Sequence, residues 1–320
     1  MDGTLPASIV HLTELVRLCA YNEVPDGIGK LVSLEELIIF NDCDKPKKFL
    51  KELGTLRELR VLVFGTKGMD ESMQRDFMES LSNLQKLQHI RVDGLDWGAD
   101  TAMCEAAGFV LPRPLHYLGW REIRLSKLPS CINPSALPIL AHLELFVITM
   151  DEQDLKLLAR LPALCYLQLT TRSTVTASNI NSSDRSFFQK LRHFVTNAMV
   201  LFEQPDEEDT SVSLHMWNGE DAMPFASRKS NDSRKVVPSG VMPNLEVLYF
   251  DVRLRAPKGN YSDYCGNIGL EYLPSLRKLR GRILPGGMPA MERDAAFAAL
   301  RDACNVHPNH PTFRMHGSYC

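Results

Sequence analysis

The sequence predicts an α/β solenoid: short parallel strands side by side on a curved, concave face, irregular or helical segments on the convex side, and a capping helix at the carboxy-terminal end. Three observations predict it. One phrase of leucines returns along the whole chain, its return interval is nearly constant, and within the phrase the apolar spacing switches from three to two. The switch is clearest in VPDGIGKLVSLEELIIFND at 24–42, where Ile28, Leu31, Leu34 and Leu37 keep a three-residue step and Ile39 follows after two. A helix of about 3.6 residues per turn drifts away from a strict three-step, and a strand alternates throughout, so neither element alone accounts for the stretch. A coil that approaches the core, lays down one short strand and turns away accounts for both spacings.

The apolar residue just before the two-step serves as a marker for each unit. LTELVRL supplies Leu18, LVSLEELII Leu37, LRELRVLVF Leu62, LQKLQHIRV Ile90 and PLHYLGW Leu118. LPILAHLEL supplies Leu143, LPALCYLQL Leu167, FQKLRHFVT Phe194, MPNLEVLYF Leu248 and LPSLRKLRG Leu279. Successive markers lie 19, 25, 28, 28, 25, 24, 27, 54 and 31 residues apart, so the 54 holds one long insertion or one degenerate unit around SVSLHMW at 211–217. LxxLxL at this period is the signature of leucine-rich repeats. In each unit the last two leucines point inward from the strand, and stacked neighbours close the core that one unit cannot close alone. The expected organisation is a leucine-rich-repeat domain over 1–288, with about ten to eleven irregular repeats.

Composition is consistent with one elongated domain: 320 residues, 44% hydrophobic and 23% charged. A net charge of −3 and a pI near 6.3 give no electrostatic case for nucleic acid or an anionic membrane. No stretch reaches the roughly 18 apolar residues that would read as a membrane span. The amino terminus lacks a basic n-region, and His11, Thr13 and Glu14 interrupt its apolar residues, so it does not read as a signal peptide. Cysteines at 19, 43, 104, 131, 165, 265, 304 and 320 form no CxxC pair, which favours reduced thiols in a cytoplasmic protein. Sequons begin at Asn181, Asn231 and Asn260, and the expected compartment leaves them unmodified.

Two segments depart from the repeat. Residues 171–240 hold few leucines, an acidic EQPDEEDTS at 203–211 and a basic SRKSNDSRK at 227–235. Long surface loops are expected there, either simply solvated or carrying a patch of opposite charges. From 289 to 320 an alanine-rich stretch with Met291, Ala295, Ala298, Ala299 and Ala303 predicts a helix over 290–304, followed by a His/Pro tail that closes the solenoid. The first unit, 19 residues from its neighbour, has no comparable cap, and the native protein is expected to continue on its amino-terminal side.

No motif points to catalysis or a cofactor. His307 and His310 in VHPNHPT have Cys304, His316 and Cys320 nearby but no paired knuckle, so the stretch reads as a turn that Pro308 and Pro311 fix after the helix. GTKGMD at 65–70 lacks the spacing of a phosphate loop, and no GxSxG or HExxH occurs. The informative residues flank the strand leucines, where a curved solenoid presents its concave binding surface. The candidates are Phe40; His89, Arg91 and Asp93; Tyr117 and Arg121; His142, Glu144 and Phe146; Tyr166 and Gln168; His193; Tyr249; and Lys278, Arg280 and Arg282. Aromatic and arginine side chains of this kind anchor protein interfaces. RKLRGR at 277–282 puts three basic residues on one strand, suited either to an acidic partner or to keeping an edge soluble.

VPDGIGKL at 24–31, KLPSCI at 127–132, LEYLPSLRKLRGRI at 270–283 and the closing VHPNHPT give the chain a specific likeness. With its repeats, it resembles the carboxy-terminal leucine-rich-repeat region of plant NLR disease-resistance proteins, especially those of cereals. The resemblance implies a cytoplasmic, non-catalytic recognition module in innate immunity. Its partners would be a pathogen effector, a guarded host protein or the receptor's own nucleotide-binding module, which the repeats hold inactive. The switch and the signalling domain of that family have no counterpart here, so a truncated paralogue without signalling activity is an alternative, as is an F-box-type or scaffold adaptor. The asparagine or cysteine expected three residues after the last strand leucine is mostly missing: Asp42 holds that place after Ile39. Uneven curvature is therefore expected.

Overall fold

Coil follows coil in the computed structural model, which describes residues 5–21, 24–43, 46–66, 69–94, 109–181, 187–203, 211–218, 241–255, 268–286 and 290–316. The chain forms two units, Met1–Ile148 and Thr149–Cys320. The described residues of the first unit build a parallel sheet of six strands: β1 Arg17–Ala20, β2 Glu36–Cys43, β3 Val61–Thr66, β4 His89–Gly94, β5 Tyr117–Leu125 and β6 His142–Val147. Every marker pairs with the next: Leu18 with Leu37, Leu37 with Leu62, Leu62 with Ile90, Ile90 with Leu118 and Leu118 with Leu143. The markers and the approach leucines Leu31, Leu34, Leu56, Leu59, Leu84, Leu87, Leu115 and Leu140 are buried. Lost contact with water at these positions is what drives the coils together.

Between strands the chain returns through helices where the sequence gives them a cap and an apolar face. Helix α1, Pro46–Leu53, links β2 to β3, and α2, Glu71–Asn83, links β3 to β4. Asp70 caps α2 by accepting from the Met73 backbone N–H at 2.8 Å, which satisfies one of the free donors of the first turn. Phe49 of α1, Phe64 of β3 and Phe77 of α2 meet edge to face, with centroids 5.5 and 5.6 Å apart. In VPDGIGKL, Gly27 takes a φ of +92°, and its N–H donates to the Glu52 carboxylate of the following coil at 2.8 Å. Charged residues at equivalent places on neighbouring coils also pair: Arg17 with Glu36, Glu35 with Arg60, and Glu58 with Lys86.

In the second unit β7 Tyr166–Thr171, β9 His193–Thr196, β12 Val247–Arg255, β13 Lys278–Gly286 and β14 Thr312–His316 pair in parallel in that spatial order. Leu167, Phe194, Leu248 and Leu279 are again cross-strand neighbours. Leu279 pairs in turn with Phe313 of β14, a strand that the leucine phrase did not announce. Helix α3, Glu152–Ala159, precedes β7 and starts in a capping box made by Asp151 and Asp154. Helix α4, Ala290–Val306, spans the alanine-rich stretch and lies between β13 and β14. Next to it, buried His307 donates from Nε2 to the Leu273 carbonyl and accepts the Asn309 N–H at Nδ1, so the VHPNHPT stretch works as a turn.

The segment 171–240 differs from the expected run of loops. Strands β8 Val175–Asn181, β10 Met199–Glu203 and β11 Ser211–Trp217 form an antiparallel sheet in the order β10-β11-β8. SVSLHMW is thus a strand but not a repeat unit, since β9 pairs directly with β12 across the 54-residue interval. Its physical basis is a second small core of Val175, Ala177, Ile180, Val200, Phe202, Val212, Leu214 and Met216, residues that carry no LxxLxL spacing. The Asn197 side chain clasps Thr171 on both sides, accepting its N–H at 2.8 Å and donating to its carbonyl at 2.7 Å. His215 is buried against Thr176 at 2.9 Å, and burial pushes its imidazole down to about 4. The acidic and basic runs at 204–210 and 227–235 lie outside the described residues.

Candidate functional site

Strand alternation creates the site. In β4, β5 and β6 the residues Ile90, Val92, Leu118, Trp120, Leu143 and Leu145 point into the core, so their neighbours stand on the opposite face. Parallel register then lines up one row of His89, Tyr117 and His142 and a second of Arg91, Gly119 and Glu144. The first row is a stack of rings, His89 to Tyr117 at 4.0 Å and 14°, Tyr117 to His142 at 4.2 Å and 20°. The stack rests on the second row: a Cβ on Gly119 would stand 2.9 Å from Tyr117 Cε1, so only glycine lets the phenol ring fold along its own strand.

Glu144 holds the stack. Its Oε1 accepts from the Tyr117 hydroxyl at 2.7 Å and from His142 Nε2 at 2.8 Å, while Arg121 Nε stands 3.2 Å from Oε2 as an ion pair outside hydrogen-bond alignment. Arg121 reaches it from an irregular part of β5, where the five steps from Gly119 to Arg124 match only the two from Glu144 to Phe146. Beyond the slip, the Arg124 guanidinium lies 6.0 Å from the Phe146 ring. Arg91 and Asp93 pair along β4 at 2.9 to 3.3 Å.

These contacts set the charges. Burial pushes the Glu144 carboxyl up, but hydrogen bonds from His142 and Tyr117 and the charge of Arg121 outweigh it and hold the group below the usual carboxylate range. Burial and donation to Glu144 push the Tyr117 hydroxyl well above its ordinary value. Burial pushes His89 down, with the cationic tendencies of His142 and Arg91 adding to the effect. The Asp93 hydrogen bond raises Arg91. The patch is a rail of stacked rings flanked by matched charges.

The candidate residues do not all meet. His89, Arg91, Asp93, Tyr117, Arg121, His142 and Glu144 join one patch, in which Glu144 is only 7% exposed and holds the rings through its hydrogen bonds. Phe40 is 57% exposed on β2 and stacks on Tyr21 at 5.0 Å. In the second unit Tyr166 and His193 make a looser pair at 6.0 Å, with Gln168 accepting from Tyr166 at 3.4 Å. Tyr249, Lys278, Arg280 and Arg282 stand on β12 and β13, where Arg282 pairs with Asp251. Sequence reasoning missed Tyr21, Gly119 and Arg314. A glycine inside a strand pattern was the available signal for a close approach at Gly119.

Among the described residues no group of His, Cys, Asp and Glu is arranged to hold a metal ion, and no helix is long and apolar enough to cross a membrane. The family described as leucine-rich repeat region matches residues 2–313. Disease resistance RPP13-like protein 4 of Arabidopsis thaliana is 30% identical over 127 residues, which is 38% of this chain and 14% of that protein's length. Among solved structures, an internalin (inlF) from Listeria monocytogenes aligns over 97% of this chain and 84% of its own at 14% identity, with a TM-score of 0.43.

Proposed function

The chain belongs to the leucine-rich repeat region family, and from that premise we propose that it is a non-catalytic protein-recognition module acting in plant defence, in the cytoplasm. On this reading the sheet face of the first unit senses a pathogen effector or a guarded host protein, or restrains an NLR-type nucleotide-binding switch. One observation carries the recognition role: the His89, Tyr117 and His142 rings are stacked and fixed by Glu144 before any partner arrives. A surface whose rotamers are already locked loses little conformational freedom on binding, and aromatic and arginine side chains anchor interfaces. The defence role is supported by the likeness to a protein named for disease resistance, over the part of the chain that it covers.

The test is co-precipitation of the full chain with an NLR nucleotide-binding module supplied as a separate polypeptide. Arg91, Tyr117 and His142 changed together to alanine should weaken capture at least about tenfold, or about 1.4 kcal/mol, while circular dichroism stays that of the parent. A folded variant that captures the module as well as the parent does would sink the face as the site. Failure of the parent chain to capture any such module would turn the reading towards an independent adaptor or a non-signalling paralogue.

A further inference from the structure

The second unit carries a face of the opposite character. On β12, β13 and β14 the outward positions alternate with buried Leu248, Phe250 and Leu279 and are Val247, Tyr249, Asp251, Lys278, Arg280, Arg282, Thr312 and Arg314. Among the described side chains of that surface, four cations, Lys278, Arg280, Arg282 and Arg314, stand with one carboxylate, Asp251, and Asp251 is committed to Arg282. Arg280 and Arg314 are register partners on adjacent strands, so two guanidinium groups start about 4.8 Å apart at the backbone. Like charges directly opposite one another destabilise a sheet. Arg280 Nε is also buried and without a hydrogen-bond partner, and among the described residues no carboxylate pairs with Arg280 or Arg314. A buried donor with nothing to donate to costs free energy that an arriving acceptor recovers.

We infer that this basic strip is a second contact surface, for an acidic, extended segment of a partner protein whose carboxylates bridge Arg280 to Arg314 and reach Lys278. The inference rests on the reading of the chain as a recognition module and names the partner chemistry of a different face. Lys278 and Arg280 are two residues apart on one strand, so their side chains rise about 6.6 Å apart, the spacing of alternate residues in an extended peptide. Arginine binds carboxylates through a planar fork of donors, which gives such a contact direction as well as charge. A nucleic acid fits less well. The chain as a whole carries a net charge of −3, and Asp251 stands inside the strip where a phosphate backbone would pass.

The probe is a labelled peptide alternating glutamate and threonine, titrated into the full chain and read by fluorescence anisotropy. The parent should bind it, and affinity should fall as salt rises from about 50 to about 300 mM, since screening shortens the reach of exposed charges. Arg280→Gln combined with Arg314→Gln should weaken binding at least about tenfold. Asp251→Asn, which removes the competing carboxylate, should tighten it, and this second variant decides the matter if the double substitution lowers the melting temperature. Equal affinity in the parent, the double variant and Asp251→Asn would overturn the proposal. So would tighter binding of an oligothymidylate of matched charge. The titration does not read the first unit's face: loss of module capture through Tyr117 and His142 and loss of peptide binding through Arg280 and Arg314 are separate results.

Discussion

The sheet face of the first unit and that of the second are built by the same repeat, yet one closes its charges internally and the other leaves them open. On the first, Arg17 meets Glu36, Arg91 meets Asp93 and Arg121 meets Glu144, with stacked rings between. On the second, only Arg282 has a carboxylate among the described residues, while Arg280 faces Arg314. The repeat dictates where a side chain stands, and the residue that the next coil places in register dictates what it does there. Recognition chemistry in this fold is thus a property of neighbouring coils rather than of any one unit.

The comparison breaks most visibly if the first face loses its anchor. Glu144→Ala removes the shared acceptor of Tyr117 and His142 and the partner of Arg121, leaving polar groups at a site that is 7% exposed. A loss of about 3 kcal/mol is expected, measured as the shift in urea unfolding at constant slope. Among the described residues of the second face no single change is equivalent, since its pair, Arg282 with Asp251, is more exposed. Next comes Gly119→Val. Added methyl groups where a Cβ alone would stand 2.9 Å from the Tyr117 ring force the ring off its shelf. About 2 kcal/mol of stability should go, and capture of the partner module with it. A variant of parental stability that binds normally would show that the stack is incidental.

How much of this was legible in the sequence follows from what period can carry. The leucine markers specify register because each inward residue must meet its counterpart in the next coil, and Leu18 through Leu143 pair as that logic requires. The face residues were legible as candidates for the same reason, being the alternate positions. The Glu144 network was not, because it depends on a slip in β5 that brings Arg121 across and on a glycine that accommodates a ring. The antiparallel sheet of β8, β10 and β11 escaped because its core uses Val175, Ala177, Val212, Leu214 and Met216, with no repeat to average over. Strand β14 escaped because Phe313, preceded by Pro311, replaces the leucine phrase.

Acid sharpens the difference between the faces. The folded state holds His89 below its ordinary value of 6.5, so the fold favours the neutral ring. That contribution is complete above 6.5 and is lost as pH falls below it. Glu144 has a lowered value, so its contribution is present above the ordinary 4.5 and goes only in stronger acid. Module capture by the first face should therefore weaken as pH falls from 6.5 to about 5.5, and His89→Gln should flatten the profile. Binding of the acidic peptide, which relies on arginine and lysine, should be level over the same range. A pH step that His89→Gln leaves intact would assign the effect elsewhere.

The smallest effect comes from one chemical change made twice. Asp93→Asn and Asp251→Asn each take the carboxylate from an arginine near the surface, where side chains are between 21 and 50% exposed. Each should alter stability by less than about 0.5 kcal/mol, because water already solvates such pairs well. The functional consequences should nonetheless diverge. On the first face an unmatched Arg91 beside the ring stack should make module capture newly dependent on salt, since Asp93 had balanced that charge. On the second face, Arg282 merely joins Lys278, Arg280 and Arg314, and an existing salt dependence becomes steeper. If both variants changed salt dependence equally, the matched pairs of the first face would be decoration, and the two faces would be one kind of surface with different residues on it.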